Sequence, residues 1–287
     1  MKPAKKSTMD EYLKKHPFLK ETAGLHLGLE KILSQLVKPV SFPEKADLIA
    51  YTKEGLPLLQ QAGLQKRMAE AAAAGLGSML AGLNNLMAPA MMKAAIEKWQ
   101  EWAVQAEPET IQHFFGFLMR QEDGEIHELA ETNQLNETMI RFLGWALIDA
   151  LVPARVKDSS FWEHEAKWKR NYCPVCGRQA ALAQLRKEQQ GRARYLSCDG
   201  CHTVWPHKRI GCVYCQNIDL KKMHILEPEG EPEMRLDVCD ECHTYLKTYN
   251  EEGAEDVYLR DWATIHLDLL GEEQGLRKKG SVLLASE

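Results

Sequence analysis

The chain has no cysteine before Cys173, no apolar run of bilayer length, no glycine-rich phosphate loop and no surplus of positive charge. Each absence removes a class of function. The most continuous apolar stretch, Phe142 to Leu151, is interrupted by Asp149 and falls well short of the roughly 20 residues that cross a bilayer, so no membrane span is expected. Met1 to Asp10 is polar and no apolar segment follows it, which gives no recognisable secretory signal and sets the expectation of a cytoplasmic protein. With 41 acidic against 36 basic side chains, bulk positive potential is unavailable for coating nucleic acid. Without a nucleotide fingerprint or a nucleophile–base constellation, no catalytic residues and no enzyme are expected.

Charge is unevenly spread over the 287 residues. Residues 155–215 hold 12 basic and 5 acidic side chains, whereas 216–287 hold 8 and 17. The first half is poor in β-branched residues and rich in Ala, Leu, Met, Glu and Gln, a composition that favours helices. Bundle helices are expected over Arg67–Leu86, Ala90–Ala103, Thr110–Gln121 and Glu137–Val152, punctuated by prolines. From Tyr172 the pattern changes to short strands: Ala181–Arg186, Arg192–Ser197, Met223–Leu226 and Met234–Val238, with a hairpin turn over Glu227–Glu233. One amphipathic helix, Glu255–Leu270, is expected to close the fold through Val257, Trp262, Ile265, Leu269 and Leu270. The resulting division is a helical domain (1–154), a connector (155–170), a first metal domain (171–211), a second (212–250), and a C-terminal helix and tail (251–287). In fold class this is α+β and multidomain: an all-α N-terminal domain, two consecutive zinc-ribbon-like domains with four cysteines each, and a C-terminal helix.

All eight cysteines fall in Cys-x-x-Cys pairs: Cys173/Cys176, Cys198/Cys201, Cys212/Cys215 and Cys239/Cys242. Two intervening residues let the chain turn as a knuckle, with both thiolates aimed at one ion. In a reducing compartment such pairs hold metal more readily than disulfides. Sequential coupling, first pair with second and third with fourth, closes two local ribbons; a RING-like alternation is the competing arrangement. Four thiolates suit zinc, a single iron or an iron–sulfur cluster, so the expectation is two ions per chain, iron or zinc. The basic residues Arg178, Arg192, Arg194, Lys208 and Arg209 are expected to offset thiolate charge. His202 and His243, directly after the second and fourth pairs, are expected to be outer hydrogen-bonding or exposed groups. Haem attachment is disfavoured because it would strand the other thiolates, and four copies of the pair argue against a thioredoxin-like role. Loss of Cys173 or Cys212 is expected to cost one ion and unfold that ribbon locally.

Tyr172-Cys-Pro-Val-Cys-Gly177, Leu196-Ser-Cys-x-x-Cys201 with Trp205 and Arg209, Cys212-x-x-Cys215 and Cys239-x-x-Cys-x-Thr-Tyr-Leu-Lys247 together resemble the formate dehydrogenase accessory protein FdhE family. The likeness continues through Asp261, Leu267 and Asp268. It implies a cytoplasmic assembly factor with two rubredoxin-like domains, the eight cysteines as ligands associated with iron, and the catalytic subunit of formate dehydrogenase as partner. Glycine follows only Cys176; His202, Gln216 and His243 follow the other three knuckles, a departure from rubredoxin geometry. The acidic segment Glu227–Asp256 and the aromatics Trp162, Trp205 and Tyr245 are candidate partner contacts. Two other classes fit less of the sequence: a nucleic-acid-binding zinc ribbon, opposed by the acidic C-terminal third, and a rubredoxin-like electron-transfer protein. Oligomeric state is not legible.

Overall fold

The computed structural model describes residues 9–84, 86, 90–189 and 191–283. Helices run through the first half: α1 (Met9–Lys15), α2 (Lys20–Leu36), α3 (Lys45–Lys53), α4 (Ala62–Leu83), α5 (Ala90–Gln105), α6 (Pro108–Arg120), α7 (Asp123–Thr132), α8 (Glu137–Leu151) and the short α9 (Ala154–Lys157). Local chemistry sets their ends. Pro108 occupies the first turn of α6, where its missing N–H costs nothing, and Asn136 caps α8 by accepting the Met139 N–H at 2.9 Å. Apolar α4 lies at the centre, packed against α2, α5, α6 and α8. Gly144 lets α8 approach α6 closely, since a Cβ there would stand 2.5 Å from a Leu118 methyl.

Residues 155–170, the expected connector, expose half of their side chains but bury Val156, Ser159, Trp162 and Trp168. A π-helical turn, Phe161–Glu165, buries Trp162, whose Nε1 donates to the Val156 carbonyl at 2.9 Å. Trp168 is buried beside it. Trp162, expected as a partner contact, is therefore core.

The second half is one six-stranded sheet. Its strands are β1 (Ala180–Glu188), β2 (Gly191–Cys198), β3 (Val204–His207), β4 (Met223–Leu226), β5 (Met234–Cys239) and β6 (Thr244–Tyr249), in the order β3-β2-β1-β6-β5-β4. Two antiparallel three-stranded units are joined by the parallel β1–β6 pair, with Leu182 opposite Lys247. The units repeat head to tail: knuckle, hairpin, knuckle, strand, then the same again. β3 and β6 are the strands absent from the sequence reading. Edge strand β3 tolerates Pro206, whose missing N–H costs least there. Central β6 is buried on both faces although it contains Thr, Lys and Thr.

The expected closing helix is broken into α10 (Glu255–Tyr258), a 3-10 turn (Asp261–Thr264) and α11 (Ile265–Glu273). The break has an electrostatic cause. Lys247 of β6 meets the Asp261 carboxylate at 2.6 Å and the Asp268 carboxylate at 3.0 Å, and donates to the Asp261 and Thr264 carbonyls. These contacts draw the segment onto the sheet. Val257, Trp262 and Leu267 turn inward, whereas Ile265 and Leu269 stay 44% and 59% exposed.

Two cores result. The larger joins α4, α6 and α8 to Cys173, Cys176, Cys198 and Cys201 of the first unit. The smaller packs Tyr12, Leu19 and Ala23 of the N-terminal helices against Met234, Leu236, Val238, Tyr245 and Trp262. A terminal strap then crosses both units. The Arg277 N–H donates to the His243 carbonyl (2.8 Å), Arg178 reaches the Ser281 carbonyl (2.6 Å), and the Val282 N–H donates to Asp199 (2.8 Å). Gly280 permits this path: its φ is +75°, and a Cβ would lie 2.1 Å from the Ala180 carbonyl oxygen, a backbone atom that has no side-chain freedom to yield. Gly280→Ala is expected to lift the strap and cost about 1–3 kcal/mol, the scale of a strained backbone position. A urea midpoint unchanged from wild type would disprove that role.

Candidate metal centres

Sequential coupling is the arrangement the fold produces. Cys173, Cys176, Cys198 and Cys201 converge at one site, and Cys212, Cys215, Cys239 and Cys242 at another. The hairpins β1–β2 and β4–β5 bring each second knuckle back to its first. Both sites use the same local bonds. Cys173 N–H donates to the Arg178 carbonyl and Cys212 N–H to the Asn217 carbonyl, each at 2.8 Å. Cys201 and Cys242 sulfurs lie 3.1 and 2.9 Å from the Thr203 and Thr244 hydroxyls. Gly200 N–H reaches the Cys198 sulfur at 3.3 Å.

Residue choice after each knuckle turns out to be less restrictive than glycine alone. Gly177, His202, Gln216 and His243 all adopt left-handed backbone, with φ of 81°, 50°, 62° and 53°. The three non-glycine residues accept the strain of that region because the knuckle requires the turn. His202 spends its side chain on Asp149 at 3.0 Å, and the Asp149 charge, outweighing burial, pushes the imidazole up to about 9. Half of the His202 side chain faces solvent, so screening weakens this pairing. Neither histidine belongs to a four-cysteine cluster.

The geometry fits a tetrahedral ion. Sulfur–sulfur separations are 3.5 Å (Cys173–Cys201), 3.4 Å (Cys176–Cys198) and 3.6 Å (Cys176–Cys201) at the first site. At the second, Cys212–Cys242 and Cys215–Cys239 are both 3.7 Å. A tetrahedron of metal–sulfur bonds of about 2.3 Å has edges of about 3.8 Å, whereas a disulfide needs sulfurs about 2.05 Å apart. None of the eight cysteines is in a disulfide. Burial raises Cys176 and Cys198 well above the ordinary thiol range. Burial also acts upward on Cys201, but hydrogen bonds from Cys173, Cys176, Cys198 and Thr203 outweigh it and hold that group well below. A cation bound among these sulfurs would displace their remaining protons.

The two sites differ in access. All four cysteines of the first are buried, and its knuckle is bolted to the helical half: Leu58 and Leu59 N–H groups donate to the Pro174 and Val175 carbonyls at 3.0 and 2.8 Å. At the second, Cys215 is exposed and Cys242 partly so. Exposed Ile210, Ile218, Leu220 and Ile225 lie on the adjoining loop and on edge strand β4. A thiol-reactive metal chelator is therefore expected to remove two ions in two phases, the fast one from the second site. Stopped-flow release from Cys215→Ser protein checks this: the fast phase should vanish, and a retained fast phase would contradict the order.

The arginines near the first site act mainly on the backbone. Arg194 is buried and donates to the Lys208 (2.7 Å) and Gly211 (2.9 Å) carbonyls, bracing the link between the units; Arg178 binds the strap and Arg192 pairs with Glu251 at 3.2 Å. Trp205 and Tyr245, expected as contacts, are buried, the first donating to the Arg170 carbonyl and the second to Asp268. Their aromatic surface packs the ribbons instead. The acidic segment divides: Glu231, Glu233 and Glu255 turn inward to His266, Tyr258 and Gln184, while Glu227, Glu229, Asp240, Glu241, Glu252 and Asp256 point away from the core. Sequence reading missed the inward set because their partners lie in other elements.

Comparison with known proteins gives a consistent family. Residues 172–209 match the family model described as FdhE, central domain, and residues 210–285 match FdhE, C-terminal domain. A protein FdhE homolog of Aquifex aeolicus is 31% identical over 151 residues, 51% of this chain and 52% of that protein. Protein FdhE of Escherichia coli K12 is 30% identical over 136 residues, 46% of this chain and 41% of that protein. The matched stretch spans about half the length of these curated relatives. The crystal structure of the FdhE protein from Pseudomonas aeruginosa shares the fold, with a TM-score of 0.66 at 23% identity over 96% of this chain and 92% of that one. Among the described residues no helix is long and apolar enough to cross a membrane.

Proposed function

We propose, for a chain whose residues 172–285 match the central and C-terminal domains of the FdhE family, the role of a formate dehydrogenase accessory factor that binds the catalytic subunit during its maturation. The eight cysteines are its metal ligands, four to each ion, and the ions are iron or zinc. The role is one of binding rather than catalysis, exercised in the cytoplasm.

The carrying observation is the inequality of two otherwise repeated sites. A buried tetrathiolate site inside the main core holds structure together; the equivalent second site, with Cys215 exposed, leaves its ion accessible to a partner or a reductant. Iron handling or redox control therefore belongs to the second site. Exposed Ile218 and Leu220, 75% and 62% accessible beside it, offer the apolar contact that an incompletely assembled subunit would cover.

The test is a pull-down with the catalytic subunit in its apo and cofactor-loaded forms. Enrichment of the apo form by wild type, and its loss in Ile218→Asp/Leu220→Asp with both ions retained, is expected. Equal recovery of both forms, or no recovery, would overturn the reading.

A further inference from the structure

Outside the two thiolate sites, one cluster has the chemistry of a third. His16, at the turn between α1 and α2, Glu231, in the β4–β5 turn, and His266, on α11, place their ligand atoms within 4.8 Å of one another. His266 Nε2 lies 2.8 Å and His16 Nε2 3.6 Å from the same Glu231 oxygen. The three side chains are only 19%, 14% and 12% exposed, in the order His266, His16, Glu231.

Two features set the cluster apart from an ordinary ion pair. Both ring nitrogens of His266 and the second oxygen of Glu231 are shielded from solvent and lack a hydrogen-bond partner, so even the 2.8 Å approach is misaligned for donation. Buried polar atoms left in this state keep an unrecovered desolvation cost, which an ion shared by one His266 nitrogen and the Glu231 carboxylate would partly offset. The two imidazoles also stack, with centroids 5.1 Å apart and planes 23° from parallel, an arrangement that two protonated rings would oppose by charge repulsion. Tyr12 and Phe18 wall the His16 ring, at 4.3 and 5.9 Å, and hold it toward the others. Lys15 and Glu233 are the neighbouring charges.

We propose that His16, Glu231 and His266 form a third metal site, which takes a divalent first-row transition ion through two neutral imidazoles and one carboxylate. Its imidazole nitrogens and carboxylate oxygen suit Zn2+ or Fe2+ without any sulfur ligand. Bonds of about 2.0–2.2 Å give ligand–ligand edges of about 3.4 Å, so the set closes by side-chain shifts of about 1 Å. Three protein ligands leave a coordination position open to water or an added ligand. The ion ties the N-terminal helices to the second ribbon and to α11, across the smaller core.

Full-length protein with both four-cysteine sites loaded is dialysed against micromolar Zn2+ and its metal counted. Three ions per chain are expected in wild type and two in His16→Ala and Glu231→Gln, with far-UV circular dichroism and both thiolate-bound ions preserved. Co2+ added to protein holding zinc in the two four-cysteine sites alone should give visible d–d bands without sulfur-to-metal charge transfer, abolished in His266→Ala. Two ions in wild type, or a third retained by the His16→Ala/His266→Ala double variant, would overturn the proposal. The wild-type count stands even if one variant fails to fold.

Discussion

Cys173→Ser is expected to lose the first ion together with the folded helical half, whereas Cys215→Ser is expected to lose the second ion with that half intact. The difference follows from where the sulfurs sit. Cys173, Cys176, Cys198 and Cys201 are members of the same core as Leu76, Phe114, Leu118, Trp145 and Leu147. Its first knuckle receives the Leu58 and Leu59 N–H groups, and its second places Gly200 against Trp145 and Arg178, where a Cβ would come within 3.0 Å of both. A structural tetrathiolate ion contributes apparent binding energy of about 10–16 kcal/mol, while the whole net stability of a domain is about 5–15 kcal/mol. Removing that ion leaves three thiols and a hydroxyl buried without a centre, and the core around them has no independent reserve. Local unfolding of one ribbon, the expectation from spacing alone, is thus replaced by a cooperative loss. Cys215 lies outside that core and is exposed, so its damage stays with the second unit. Metal content and far-UV circular dichroism of the two variants check the asymmetry. Full helicity in Cys173→Ser, or collapse of the helices in Cys215→Ser, would contradict it.

Lys247→Met is expected to destabilise the chain by about 3–5 kcal/mol, the cost of breaking a buried charge network from one side. Lys247 is buried on the central strand β6 and contacts Asp261 at 2.6 Å and Asp268 at 3.0 Å. Lys278 meets the same two carboxylates at 2.7 Å each, and the Tyr245 hydroxyl donates to Asp268 at 3.0 Å. Removing Lys247 leaves two buried carboxylates facing one ammonium. The network also sets a pH dependence. Burial pushes the Asp261 carboxyl up, but Lys247 and Lys278 outweigh it and hold the group well below the usual carboxylate range. A lowered folded value means stability that is present above the unfolded carboxylate pKa of about 4 and is lost as pH falls through the folded value. Urea unfolding of wild type and Asp261→Asn at pH 7 and in acid separates this from thiolate protonation at the metal sites, which both proteins share. The gap between them should shrink in acid; a constant gap would remove Asp261 as its source.

The eight cysteines made both sites legible because ligand spacing is a local property, and turn formers in Glu227–Glu233 announced the hairpin that closes the second. Non-local charge was not legible. β6 was not among the expected strands: Lys247 is satisfied there by Asp261 and Asp268 from later segments, and Thr248 by Asp237 of the neighbouring strand. The same pull broke the closing helix. Trp162, Trp205 and Tyr245 stood among charges and polar residues in the sequence, yet each reaches a carbonyl or carboxylate that only the fold supplies. His16, Glu231 and His266 are too far apart along the chain for any spacing rule to join them. The parallel β1–β6 pair, which fuses two ribbons into one sheet, likewise depends on a contact between the first strand and the last.

X-ray absorption at the metal edge, on protein purified without oxygen and dialysed against a weak chelator that strips imidazole- and carboxylate-held ions, tests the two-site account most directly. Two ions per chain, each with four sulfur neighbours at about 2.3 Å, are expected. One ion per chain, mixed nitrogen and sulfur ligation, or cysteines found as disulfides would contradict it.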